Sequence, residues 1–166
     1  MNRLWLRAAG AGRQCPRAAR FGPHHAAPHF TVRHSVSTPR ELMDASLKAN
    51  VVPLLRKHGY TGSFPHFRRL LPDRIDLLTF QFDRDGGGFG VEMGSCAADG
   101  ITLHWGKHVP PSKVTAWDLD PSKRRRLKPP ETPGTDYWFR FEAGDYDAVA
   151  RQVTECLTIV GGGREA

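Results

Sequence analysis

Leu78-Thr79-Phe80-Gln81-Phe82-Asp83-Arg84-Asp85-Gly86-Gly87-Gly88-Phe89-Gly90-Val91-Glu92-Met93-Gly94 decides the fold. Leu78, Phe80 and Phe82 alternate with Thr79, Gln81 and Asp83, the period-2 pattern of a strand with one apolar and one polar face. Asp83 to Gly88 carry turn chemistry only. Phe89, Val91 and Met93 then alternate with Gly90, Glu92 and Gly94, which predicts a second strand. Two strands joined this closely pair antiparallel. The glycines lack the Lys-Ser/Thr of a phosphate loop and connect two strands instead of opening a helix, so they read as a hairpin turn.

Working outward, 64–71 and 74–83 flank Pro72-Asp73, a two-residue turn signal. Downstream, Ile101, Leu103 and Trp105 alternate with Thr102 and His104, which predicts a fourth strand. In 136–142, Tyr137, Phe139 and Phe141 alternate with Trp138, Arg140 and Glu142, which predicts another. Between them, 106–134 is a long irregular stretch holding six prolines, with room for a short extra strand at 114–119. A connection of that length in a small domain is commonly functional.

Helical patterns bracket the strands. Thr38-Pro39-Arg40-Glu41 is a helix-start signature, with a Thr cap, Pro in the first turn and Glu placed to close a capping box. Met43, Leu47, Val51, Leu54 and Leu55 form an apolar stripe, Pro53 should kink or split the helix, and Gly59 should end it. At the other end Asp145 caps a helix whose stripe is Val149, Val153, Cys156, Leu157 and Val160, ending at Gly161. The expected fold class is α+β: a single antiparallel sheet of four to five strands with an N-terminal and a C-terminal helix packed on one face. The expected domain spans 36–161. Residues 1–35 form an Arg-rich tail, read either as a presequence or as lying upstream of a later translation start, and 162–166 a short C-terminal extension. Both are expected to be disordered.

The net charge of +7 invites a nucleic-acid reading, and its distribution argues against one. The chain carries 24 Lys+Arg and 17 Asp+Glu, but seven arginines and no acid lie in residues 1–40, which leaves 17 of each sign beyond. The domain has no net basic field of its own. No apolar run approaches the ~20 residues of a membrane span. Cys15, Cys96 and Cys156 are odd in number and contain no CxxC pair, so no disulfide framework or zinc site is indicated and a reducing, cytoplasmic setting is expected.

Packing both helices on one face leaves the other to show Thr79, Gln81, Glu92, Thr102, His104, Trp138 and Arg140. The candidate binding surface is Gln81, Glu92, His104, Trp138 and Arg140, since Trp and Arg are the residue types enriched at interface hot spots. The basic run Lys123-Arg124-Arg125-Arg126 is a second candidate, for a phosphate, RNA or an acidic protein, against the plainer reading of a solvated loop neutralised by Asp118, Asp120 and Glu131. A protein partner is the stronger expectation and nucleic acid the weaker. A hydrolase or nuclease-like site built from Glu92, His104 and an aspartate (Asp73, Asp76, Asp83 or Asp85) is the competing reading. It would require Glu92, His104 and Arg140 to converge in a concave pocket. His104 and His108 sit four apart on a strand running into a loop with no third ligand, so no metal and no cofactor is indicated. No pattern sets an oligomeric state.

Several short motifs together resemble a known family. They are Leu54-Leu55-Arg56-Lys57-His58-Gly59-Tyr60, Phe67-Arg68-Arg69, Phe80-Gln81-Phe82, Val91-Glu92-Met93-Gly94, Arg126-Leu127 and Tyr137-Trp138-Phe139-Arg140-Phe141. Across about residues 42–157 the chain is similar to the bacterial domain-of-unknown-function family number 4304, with Tyr60 and Tyr137 standing where the family has Phe and Trp. The resemblance implies a small α+β domain and brings no activity, cofactor or catalytic residue with it.

Overall fold

The computed structural model describes residues 37–162. The tail 1–35, with Cys15, and nearly all of the C-terminal extension lie outside the described residues. Helix α1 runs Pro39–Asn50 and α2 runs Val52–Lys57. The Thr38 hydroxyl accepts from the Glu41 N–H at 3.2 Å and the Glu41 carboxylate accepts from the Thr38 N–H at 2.8 Å, so the capping box is closed. Pro53 has no N–H to donate and its ring crowds the preceding turn, and the helix breaks just before it. After α2, Gly59 takes φ +81°, Tyr60 N–H bonds Leu55 C=O and Gly59 N–H bonds Arg56 C=O, the paired C-terminal bonds that a left-handed residue permits. Thr38→Ala should lower stability by about 1 kcal/mol, because the Glu41 N–H loses its acceptor at the helix start. A shift in the urea midpoint measures this, and an unchanged midpoint would mean that α1 is held by its packing alone.

The sheet contains β1 (Thr61–Ser63), β2 (His66–Leu70), β3 (Arg74–Phe82), β4 (Gly88–Ala97), β7 (Arg125–Arg126) and β8 (Phe139–Arg140), all paired antiparallel. The order is β1-β2-β3-β4-β7, and β8 pairs the other end of the same β4 edge. Strand β1 is an addition to the expected set: Phe64-Pro65 forms the two-residue loop before β2 instead of opening a strand at 64. Pro65 has no N–H for a ladder, so a loop position suits it.

In the central hairpin Leu78 pairs Met93, Phe80 pairs Val91 and Phe82 pairs Phe89, all toward the helices. Helix α3 (Tyr146–Gly162) and α1 cover that face together. Met43, Leu47, Val51 and Leu55 meet Ala150, Val153 and Cys156 over Phe67, Leu78, Phe80, Phe89, Val91 and Phe139 in one buried cluster. Both helical stripes therefore share one side of one sheet, as expected.

The reverse face departs from expectation, because half of it is covered. Ile75, Leu77, Val114, Ala116 and Leu119 form a second buried cluster, with Cys96, Ile101 and Val109 packed against it. Ile75 and Leu77 point away from the helices, and the segment after β4 folds back over them. Gly94 makes room: a Cβ there would run into the Leu119 side chain and come within 2.9 Å of the Lys123 carbonyl. The expected fourth strand belongs to this cover. Residues Ile101–Thr102 (β5) pair His108–Val109 (β6) in a separate two-stranded ribbon, because turns at Gly100 (φ +104°) and Gly106 (φ +87°) reverse the chain before it can reach the main sheet. The 114–119 segment is a 3-10 turn, Ala116–Asp118, instead of a strand. A second 3-10 turn, Pro121–Lys123, follows. Among the described residues no helix is long and apolar enough to cross a membrane.

Candidate functional site

The uncovered half of the reverse face centres on Arg126. On β4, Glu92 and Gly90 point to this face, opposite Thr79 and Gln81 of β3. Arg126, opposite Glu92, sends its side chain along the sheet past Gly90, where a Cβ would stand 2.9 Å from Nη1. Glycine at 90 is what lets the guanidinium lie flat there. Arg126 Nε donates to Glu92 Oε1 at 2.9 Å and Nη2 reaches Gln81 Oε1 at 3.4 Å. Its Cζ lies 4.2 Å from the centroid of the Trp138 ring. Nη1 is 2.7 Å from Asp136 Oδ1, an ion pair by distance, although off the line of a hydrogen bond. The side chains of Arg126 and Glu92 are only 14% and 10% exposed, so this pair is shielded from water and salt.

Arg140 continues the surface on β8. Its Nη1 lies 3.5 Å from Asp83 and 3.7 Å from Glu142, and its side chain crosses Gly88. It is half exposed, so these contacts hold it only loosely. On the other flank His66 Nδ1 lies 3.1 Å from the buried Thr79 hydroxyl and the His66 ring meets Trp117 edge-on at 4.9 Å. Burial, then the Arg68 guanidinium, pushes the His66 pKa below its usual value, while Asp118 pulls the other way.

Of the five expected face residues, Gln81, Glu92, Trp138 and Arg140 come together. His104 does not: it is exposed in the β5–β6 turn, packed edge-on against Trp105, and lines a hollow with Trp117 and Asp120. Glu92 lines a different groove with Arg126 and Asp136. Glu92 and His104 thus sit on separate elements, and the Glu92 carboxylate is held by Arg126.

The basic run does not act as one patch. Arg124 turns inward and donates to the carbonyls of Leu119 (3.0 Å) and Trp117 (3.2 Å). Arg126 enters the face cluster. Lys123 and Arg125 remain exposed. Of the acids expected to neutralise the run, Asp118 is taken by Thr115. Asp120 bonds Ser122, whose hydroxyl and N–H hold its pKa below the usual carboxylate range, with Lys123 and Arg124 adding less.

Besides His104, the sequence pattern misplaces Arg126, assigned to a loop patch although it lies in a strand at the centre of the face. The available signal is the pair of isolated glycines, Gly90 and Gly94, inside an otherwise regular strand, which marks close approach by something else. Neither a curated protein nor a solved structure matches the chain. A family model described as a domain of unknown function (DUF4304) matches residues 51–159, from α2 through nearly all of α3, and so takes in the sheet, both its faces and the Arg126 cluster. The chain belongs to the DUF4304 family.

Proposed function

We propose that the protein is a non-catalytic binding module that engages a protein partner through the uncovered half of its reverse sheet face. The observation that carries this reading is the Arg126–Trp138 stack. A guanidinium already neutralised by Glu92 lies against a half-buried indole with Gln81 and Asp136 beside it, and Arg140, flanked by Asp83 and Glu142, continues the same sheet face. A rigid aromatic centre with a mixed-charge fringe is the make-up of an interface hot spot. A chain of this length with three cysteines and no CxxC pair is in keeping with a reducing, cytoplasmic setting.

The test is affinity capture from the native host with the full chain and its Arg140→Gln variant side by side. Arg140 is exposed, so the variant should keep its unfolding midpoint. It should also lose at least tenfold in retention of one stoichiometric protein, a change of about 1.4 kcal/mol. Equal retention by both chains would remove this face from the partner's footprint.

A further inference from the structure

Consecutive residues of a strand point to opposite sides, so Arg125 faces away from the Arg126 cluster. It pairs Met93 on the helix side of β4. There, at the end of the sheet, a cleft of about 360 Å³ opens between α2, α3 and the 122–125 segment. It adjoins the groove that Glu92 and Arg126 line, sharing Met93, Arg124, Arg125 and Val160 with it, and takes in none of Gln81, Trp138 and Arg140 of the partner surface proposed above.

Two features of the cleft point to a ligand. The first is apolar surface that no side chain among the described residues covers. Leu54 of α2 and Leu157 and Val160 of α3 line it and are only half-buried, above the buried Leu55 and Met93. The second is charge. The lining includes one carboxylate, Asp76, and that group is fully used: Arg69 donates to one oxygen at 2.7 and 3.2 Å, and Arg74 to the other at 3.1 Å. Arg124 is tied to backbone carbonyls, as described. Lys123 and Arg125 line the same cleft and, among the described residues, have no carboxylate within ion-pair distance. Two uncommitted cations thus stand at the rim of an apolar hollow whose volume falls in the lower range of small-molecule sites.

We propose that this cleft binds a small organic anion, its carboxylate or phosphate held by Arg125 and Lys123 and its apolar body laid on Leu54, Leu157 and Val160. Charge complementarity selects the anion, and the uncovered leucines and valine select against a bare inorganic ion.

Methyl-detected NMR titration of the full chain tests this with four probes of equal chain length: octanoate, octyl phosphate, octan-1-ol and octylammonium. Octanoate or octyl phosphate should shift the Leu54, Leu157 and Val160 methyls saturably, and whichever binds more tightly identifies the headgroup. The alcohol and the ammonium should bind at least tenfold more weakly. A Lys123→Gln/Arg125→Gln variant changes two exposed side chains. It should keep its unfolding midpoint and bind octanoate no better than octanol. Four probes acting alike, anion binding unchanged in the variant, or no saturable shift of these methyls at millimolar probe would each overturn the assignment.

Discussion

Arg126→Met is expected to lower stability by about 3 kcal/mol, and the double variant Arg126→Met/Glu92→Met by markedly less. The reason is desolvation. The Glu92 side chain is 10% exposed and its partner is a guanidinium 14% exposed. Removing one member of such a pair leaves a carboxylate in a poorly hydrated place with nothing to balance it, at about 3–5 kcal/mol for a fully buried pair. Residual exposure puts the value here at the lower end. Removing both charges and filling the space with apolar side chains avoids that cost, which is why the double variant should recover. Arg126 also holds together two short strands, reaching from β7 past Gly90 to Trp138 beside β8. The double-mutant cycle completed by Glu92→Met, read from urea midpoints, separates these contributions. A loss below about 1 kcal/mol in the single variant would mean that the pair behaves as an ordinary surface salt bridge.

That cluster also shows why the site was only partly legible in the sequence. Gln81, Glu92, Trp138 and Arg140 each occupy the polar parity of a regular alternation, and local periodicity is enough to assign the face. Arg126 lies in a short strand whose position depends on pairing with Glu92, 34 residues earlier, and no local pattern carries that information. His104 fails for the opposite reason. The alternation at Ile101–Trp105 is real, but alternation cannot say which sheet a strand joins, and the turns at Gly100 and Gly106 send it into its own ribbon. The covered half of the reverse face did leave a mark: Ile75, Leu77 and Leu78 put apolar residues on both sides of β3, the sign of a strand covered on both faces. The helices were legible throughout, because caps, proline and glycine act within a few residues of where they sit.

Phe89→Ala is expected to cost about 3–5 kcal/mol, a large part of the 5–15 kcal/mol that holds a domain of this size together. Phe89 is fully buried at the point where the sheet and both long helices meet. Its ring stacks on Phe139 at 5.3 Å and meets Phe82 at a tilt at 5.2 Å, with Phe80 and Phe141 at 6.1 and 6.3 Å. Its four aromatic neighbours are anchored in pairs, Phe80 and Phe82 on β3 and Phe139 and Phe141 in and just after β8, and cannot all close around a methyl group, so much of the cavity should persist. The loss should extend to the proposed partner surface as well. Strand β8 is held to β4 by the pairs Gly88↔Arg140 and Phe89↔Phe139 and by the Phe141 N–H bond to Gly87 C=O, so loosening the Phe89–Phe139 stack weakens the hold on the strand that carries Arg140 and the Trp138 next to it. Phe89→Leu, which keeps most of the volume, should cost less than half as much and preserve the surface. Urea unfolding with tryptophan fluorescence measures both variants. A loss under about 1.5 kcal/mol for Phe89→Ala would show that the aromatic cluster repacks freely, and that β8 does not depend on it.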